Sequence, residues 1–309
     1  MNNSLIVILG PTASGKTAVS IELAKKLKGE VISCDSMQIY KDMDVGTAKV
    51  SEEEMQGVPH YLLDIITPDK EFSVAEYQQR AYEYIDKIQN KQKTPLLVGG
   101  TGLYINSVVY GYQFSQEDID FRLRNSLKRG LKRYGNGLYY LTLKKKCPDV
   151  AKKIHPNDTK RISRALEVYL QTGECLKTKK SENNPPDYDI TLIGLKTDRN
   201  TLYQRINQRV DKMIESGLIE EVKYLLRKYD LSKVAKQAIG YKEVIDYLTG
   251  ISTYDEMIRI IKRESRRYAK RQLTWFNRLD NIKWFFLDSK DEVEKISNEI
   301  YQYLQDNNN

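Results

Sequence analysis

The sequence predicts an α/β fold, a mainly parallel sheet with an inserted all-helical subdomain, and three observations predict it. Short apolar runs recur at Leu5–Leu9, Val31–Cys34, Pro95–Val98, Thr191–Leu195 and Trp284–Leu287, with helical patterns between the early ones. That is the rhythm of buried strands joined by crossover helices. Between about Ser115 and Pro186 the rhythm gives way to basic amphipathic segments. The first run also opens into a glycine-rich turn that leads straight into a helical pattern. The core is therefore expected over residues 1–114 and 187–309, and the helical insertion over 115–186.

The first strand, Leu5–Leu9, delivers the chain to Gly10-Pro11-Thr12-Ala13-Ser14-Gly15-Lys16-Thr17, which has the spacing of a phosphate-binding P-loop. Its glycines let backbone N–H groups turn inward, and the following helix points its positive end at the same spot. Lys16 is expected on the terminal phosphate oxygens. The Thr17 hydroxyl is expected on Mg²⁺, which keeps several waters and takes its remaining ligands from the phosphates. The core thus reads as P-loop NTPase-like. The helix carries Val19, Ile21 and Leu23 among Glu and Lys and is expected to stop at Lys28-Gly29, a basic last turn followed by glycine. Kinases, ATPases, GTPases and transferases with a pyrophosphate leaving group all use such a loop, so the motif says what is gripped and not what is done to it.

The second strand, from Val31 to Cys34, ends in Asp35. In parallel open sheets ligands bind beyond the carboxyl ends of the strands, which places Asp35 at the same edge as the P-loop. The carboxylate there has three readings: a Mg²⁺ ligand, a proton acceptor for an attacking nucleophile, or a cap for the next segment. The third run, Pro95 to Val98, passes into Gly99-Gly100-Thr101-Gly102. Glycines let backbone approach a ligand closely, and Thr101 offers a hydroxyl at the mouth of the site; a tight strand-to-helix turn is the plainer alternative.

Inside the insertion one helix is expected to start near Asn157-Asp158 and run to Thr172-Gly173, with Ile162, Ala165, Leu166 and Tyr169 on one face. Ser181 to Asp189, with Pro185-Pro186, reads as the return linker. From Asn200 to Arg278 the pattern is helical again. Leu202, Ile206, Val210 and Met213 form one apolar face, beside which Arg205, Arg209 and Lys212 recur at helical spacing. Further on, Arg259, Arg263, Arg266 and Lys270 make one basic stripe, and Arg267, Arg271 and Arg278 another, with Tyr268, Trp275 and Phe276 interleaved and few carboxylates nearby. The insertion adds Arg122, Arg124, Lys128, Arg129, Lys132 and Arg133, then Lys160, Arg161 and Arg164. Basic helices with interleaved aromatics suit a polyanion and a stacked base, and three of them suggest a nucleic-acid clamp.

Composition narrows the class without choosing the reaction. The 309 residues carry a formal charge of +8, from 50 Lys+Arg against 42 Asp+Glu, and 40% are hydrophobic, ordinary for a globular protein with a sizeable core. The three cysteines, Cys34, Cys147 and Cys175, lie far apart with no C-x-x-C. Neither a disulfide framework nor a zinc site is expected, which suits a reducing cytoplasm. No leader pattern opens the chain, and no apolar run approaches the roughly 20 residues that span a bilayer; a cytoplasmic protein that does not engage a membrane is expected. His60 and His155 each stand beside proline and read as structural, and the 22 tyrosines read as packing at the core boundary.

Taken in order, GPTASGKT (Gly10 to Thr17), DSMQIYKDMDVGTAK (Asp35 to Lys49), GVPHYLLDI (Gly57 to Ile65), GGTGLY (Gly99 to Tyr104), HPNDTKRISRALEVY (His155 to Tyr169), QAIGYKE (Gln237 to Glu243) and AKRQLTWF (Ala269 to Phe276) resemble the tRNA dimethylallyltransferases. The resemblance spans almost the whole chain. It implies transfer of a dimethylallyl group from dimethylallyl diphosphate, with Mg²⁺, to N6 of adenine 37 beside the anticodon in tRNAs that read codons starting with U. It also implies Asp35 as the base, Thr101 at the channel where the substrates meet, and Lys16 with Arg205 or Arg209 on the leaving diphosphate. The tRNA-contacting segments of the family correspond to Ser36, Met37 and Gln38, Arg122 and Arg124, Lys160-Arg161-Ile162-Ser163-Arg164, Gln237, Gly240, Tyr241 and Lys242, and Lys270, Arg271 and Trp275. Eukaryotic members often carry a C-terminal zinc finger. The last residues here, Asp306 to Asn309, hold no Cys/His cluster, so the bacterial form, acting as a monomer on the anticodon stem-loop, is expected. A P-loop kinase of a small metabolite is the main alternative and leaves the basic stripes without a role. A nucleic-acid-binding NTPase is another, for which no water-positioning residue is identifiable.

Overall fold

The computed structural model of the chain describes residues 3–114, 121–176 and 186–307. The described residues form a six-stranded sheet of order β3-β2-β4-β1-β5-β6, built from β1 (Ser4–Leu9), β2 (Glu30–Cys34), β3 (His60–Tyr61), β4 (Pro95–Gly99), β5 (Asp189–Lys196) and β6 (Lys283–Phe286). The pairings are parallel throughout. β1 lies between β4, where Ile6 faces Leu96, and β5, where Ile6 faces Thr191. A strand with neighbours on both edges and helices over both faces has no polar side to present, so Leu5–Leu9 are apolar without alternation. Each is at most 4% exposed. The expected strands are all present. β3 is unanticipated: its two residues pair only with Val31 and Ile32, too short a span to leave a periodic pattern.

The chain separates into two units, Met1–Gly111 with Pro185–Asn309, and Tyr112–Asn184. The first unit begins with α1 (Lys16–Leu27), α2 (Glu52–Met55), α3 (Val74–Asn90) and α4 (Gly102–Val109). The second holds α5 (Phe121–Tyr134), α6 (Asn136–Lys146), α7 (Pro148–Ala151) and α8 (Thr159–Thr172). The first unit resumes with α9 (Arg199–Glu215), α10 (Leu218–Lys228), α11 (Lys233–Lys236), α12 (Tyr241–Leu248), α13 (Tyr254–Phe276) and α14 (Val293–Asp306).

Strand alternation divides the core of the first unit between the two faces of the sheet. Leu5, Val7 and Leu9 pack with Tyr77, Ala81 and Ile85 of α3 and with Ile105 and Val108 of α4. Ile6 and Ile8 pack with Val19, Ile21 and Leu23 of α1 and with Ile296, Ile300 and Leu304 of α14. A third cluster joins Val210, Val222, Val244, Met257 and Ile261 of the later helices to Ile39, Tyr40 and Met43, which follow β2. α13 starts with a capping box in which the Thr253 hydroxyl accepts from Glu256 N at 3.3 Å and Thr253 N donates to Glu256 at 3.2 Å. The end of α1 departs from expectation in one detail. Lys28, with φ 51°, takes the left-handed position, and Gly29 donates to Ala24 O at 2.8 Å.

The second unit is a small helical unit with its own core of Leu127, Leu131, Leu143, Val150, Ile162, Ala165 and Leu166. α8 starts where the sequence places it. The Asp158 carboxylate accepts from Arg161 N at 3.0 Å, and Gly173, at φ 73°, ends the helix. The reading that no cysteines pair is corrected here, because Cys147 and Cys175 are joined by a disulfide that closes 28 residues. Packing of α6 on α8 brings the two Cα atoms within 5.6 Å, a proximity that spacing in the sequence does not reveal. Cys34 is free and buried. The expected limit at Ser115 and the linker residues 181–185 lie outside the described residues.

Candidate active site

The P-loop leaves β1 at Leu9 and enters α1 at Lys16. Gly15 has φ 87°, a backbone region L side chains rarely adopt, and this lets the loop turn its N–H groups inward. Within the loop Ser14 N donates to Pro11 O at 3.2 Å, and the Lys16 ammonium donates to the same carbonyl at 2.8 Å. The Ser14 hydroxyl is buried and has no hydrogen-bond partner. A buried polar atom without a partner costs free energy, so this hydroxyl marks where an oxyanion would complete the loop. Burial, reinforced by Arg209 and opposed by Asp35, brings the Lys16 pKa down to about 7.

Asp35 and Thr101 stand at the carboxyl ends of β2 and β4, the same edge as the P-loop. Asp35 Oδ1 accepts from Met37 N at 2.8 Å, which fixes the carboxylate in a turn. Thr101 N donates to Cys34 O at 3.2 Å, and the Thr101 hydroxyl accepts from Ser36 N at 3.0 Å, so the two strand ends are laced together beside the carboxylate. Tyr268 of α13 also reaches the Thr101 side chain, and burial together with the Asp35 charge pushes its phenol upward.

A cavity of about 310 Å³ opens at this edge. Thr12, Asp35, Ser36, Thr47, Arg209, Ser265, Tyr268 and Arg271 give it a polar part, and Met37, Ile206, Val210, Met213, Ala238, Ile239 and Ile261 give it an apolar wall. Arg209 donates to Thr47 O at 2.8 Å. The loop bearing Thr47 is held by Glu221, whose carboxylate accepts from Asp44 N, Val45 N and Gly46 N at 2.8, 2.6 and 3.1 Å and from the Tyr241 hydroxyl at 2.6 Å. Gln38 holds the same loop through Thr47 O and Ala48 O, both at 3.4 Å. Such a cavity suits a ligand with an anionic head and a small apolar body.

Several expected site residues converge here and others do not. Thr12, Asp35, Ser36, Met37, Arg209, Gln237, Tyr241 and Arg271 line the cavity. Arg205 does not line it; its guanidinium donates to Thr197 Oγ1 at 3.3 Å and Leu287 O at 3.0 Å, at the end of β6. Gly240 is buried, Lys242 and Lys270 are exposed, and Trp275 lies against Gly102. The reading of few carboxylates near the α13 stripe is corrected: Arg263 and Arg267 pair with Glu264 at 3.0 and 2.8 Å, and Lys262 with Asp211 at 2.6 Å. Arg266 donates to Asn207.

In the helical unit, Ile162 is 0% exposed, so its place among the tRNA contacts is corrected to the core of that unit. Lys160, Arg161 and Arg164 are exposed on the same helix, and Ser163 is half-buried. Arg124 and Arg164 lie 2.9 and 3.4 Å from Glu167, which is buried, and Arg122 is exposed on α5. The reading from sequence missed Glu221 and Ser265, and it placed Tyr268 only among the interleaved aromatics of the basic stripe and Ile206, Val210 and Met213 only on an apolar helix face, not in a cavity.

Among the described residues no cluster of three His, Cys, Asp or Glu could hold a metal ion. Thr17 is exposed at the start of α1. A divalent cation beside a bound diphosphate would therefore take one protein hydroxyl, with phosphate oxygens and water completing its shell. The donor set fits Mg²⁺, which is bound in this manner beside phosphates.

The profile of the family described as IPP transferase matches residues 38–279. A protein of Halothermothrix orenii named tRNA dimethylallyltransferase is 53% identical over 308 residues, covering 99% of this chain and 94% of that relative. One of the same name from Clostridioides difficile is 50% identical over 309 residues, covering 98% and 97%. Among solved structures, the full-length tRNA isopentenylpyrophosphate transferase of Bacillus halodurans has a TM-score of 0.72 at 45% identity, covering 98% of this chain and 97% of that one. A eukaryotic dimethylallyltransferase acting on tRNA has a TM-score of 0.83 at 30% identity, covering 96% and 77%.

Proposed function

Since the chain belongs to the IPP transferase family, we propose that it transfers the dimethylallyl group of dimethylallyl diphosphate to N6 of adenine 37 in tRNAs reading codons that begin with U. The observation that carries this reading is a cavity lined at once by the P-loop residue Thr12, by Arg209, by the carboxylate of Asp35 and by an apolar wall. A phosphoryl-transferring kinase of a small metabolite would use the first three but leaves the basic stripes without a role.

The P-loop N–H groups, Lys16 and the partnerless Ser14 hydroxyl receive the diphosphate, with Arg209 beside them. The Thr17 hydroxyl would hold Mg²⁺, which would supply further neutralisation of the leaving group's charge when bound. The apolar wall holds the allyl group. Adenine is flipped out of the anticodon loop, which costs a few kcal/mol offset by contacts to its flanking nucleotides. Its N6 forms a bond to the allylic C1 as the C1–O bond breaks, and that electron pair leaves on the diphosphate. Asp35 takes the N6 proton, and the Met37 N–H bond and the Thr101–Ser36 contact keep the carboxylate aimed. Leaving-group electrostatics carries much of the rate, and a general base adds typically 10²- to 10⁴-fold. The exposed Lys270 and Arg271 of α13 are suited to contact the tRNA backbone. A cytoplasmic monomer is proposed; among the described residues no helix is long and apolar enough to cross a membrane.

The test incubates the protein, Mg²⁺ and unmodified tRNA with either radiolabelled dimethylallyl diphosphate or γ-labelled ATP. Label retained on the RNA from the prenyl donor alone is expected. Phosphate release or transfer from ATP without prenyl label on RNA would establish a kinase or NTPase instead.

A further inference from the structure

One face of α13 grips the turn after β4 at three successive residues. Tyr268 reaches Thr101, Gln272 reaches Gly100, and Trp275 lies against Gly102. Gln272 does more than hold that turn. Its Oε1 accepts from Thr12 N of the P-loop at 2.9 Å, and its Nε2 donates to Gly100 O at 3.0 Å. The side chain is 6% exposed, and its orientation is fixed by chemistry, since a backbone N–H only donates and a carbonyl only accepts. A Cβ on Gly100 would collide with Nε2, so glycine at that position leaves room for the amide.

We infer that Gln272 is a positioning residue that sets the register between the diphosphate loop and the acceptor side of the site. The path is short: Thr12 to Gln272, Gln272 to Gly100, then Thr101, whose hydroxyl takes the N–H of Ser36, next to Asp35. The leaving group and the base sit on different strand ends, and among these contacts the Gln272 amide is the side chain bonded to both. An amide is the side chain that serves here, because a carboxylate lacks the donor for Gly100 O and an ammonium lacks the acceptor for Thr12 N. Misplacing reacting groups by about 1 Å costs on the order of 10²-fold in rate.

The inference rests on the prenyl-transfer reading, and the test separates the two. Gln272→Met keeps length and packing and removes both hydrogen bonds. Gln272→Asn keeps the amide but is one methylene too short to span Thr12 and Gly100. Each variant is assayed for transfer to tRNA, for pyrophosphate affinity by calorimetry and for thermal unfolding. Expected is a fall in kcat of at least roughly tenfold, with the KM for dimethylallyl diphosphate and the Kd for pyrophosphate within about threefold of the parent. A parallel loss of pyrophosphate affinity would make Gln272 a prop for the P-loop alone and overturn the inference. So would an unchanged kcat, or loss of a cooperative unfolding transition in both variants. Absence of transfer by the parent protein would overturn the prenyl-transfer reading itself.

Discussion

Lys16 sits in the P-loop with its ammonium turned onto the carbonyl of Pro11, and burial and Arg209 have brought its pKa down to about 7. A diphosphate restores the charged form, so above pH 7 binding must take up a proton. The ratio of pyrophosphate affinities, parent over Lys16→Met, is expected to fall by roughly tenfold between pH 7.5 and 8.5; a flat ratio in calorimetric titrations would place the lysine outside the binding step. Asp35 carries the complementary prediction. Asp35→Asn preserves the acceptor for Met37 N and cannot take a proton, so turnover is expected to drop by at least about a hundredfold with tRNA affinity within threefold, read by single-turnover transfer and filter binding. Both residues were legible because their spacing from a strand end is local. Ser265 and Glu221 were not, and Tyr268 showed only as an interleaved aromatic, since which side of a helix turns toward the cavity is decided by packing between segments far apart in sequence. Ile162 shows the converse: the helical spacing that set it beside Ala165 and Leu166 already marked it as core, and the basic residues around it drew it into a surface motif.

The longest described helix, α13, combines two kinds of side chain that look alike in sequence. Arg263 and Arg267 share Glu264, and Arg266 is bonded to Asn207, whereas Lys270 and Arg271 are exposed one turn further along. Phosphate contacts release counterions in proportion to the charges neutralised. Lys270→Ala and Arg271→Ala are each expected to reduce the slope of log affinity for tRNA against log salt by roughly one unit or less, and Arg267→Ala by clearly less. Equal losses from all three, in binding isotherms over a salt series, would show that the Glu264 pair opens on the RNA. At this scale the strands were read well because β1, β2 and β4 are buried on both faces and therefore uniformly apolar. Two-residue β3 and the pairing of Cys147 with Cys175 were not, because one has too little length to show a period and the other is made by α6 packing on α8.

Across the whole molecule, the sheet brings together segments from opposite ends of the chain. β1 pairs with β5, and α1 is backed by α14 through Ile296, Ile300 and Leu304, which are 5, 0 and 4% exposed. Burying each such side chain stabilises by roughly 1.5–3 kcal/mol, and three together approach the 5–15 kcal/mol, in rough terms, that hold a typical domain folded. Removal of residues 293–309 is expected to abolish the cooperative thermal transition and to leave β1 and α1 open to limited proteolysis; a truncated protein that still melts sharply would show that α14 is dispensable. Loss of the α14 side of the cluster that holds Val19, Ile21 and Leu23 is what drives this outcome. The same arrangement has a consequence for biosynthesis. The P-loop is made long before β6 and α14, which complete the layer behind it. A nascent chain therefore carries its phosphate loop without that layer until the C-terminal segments have been made.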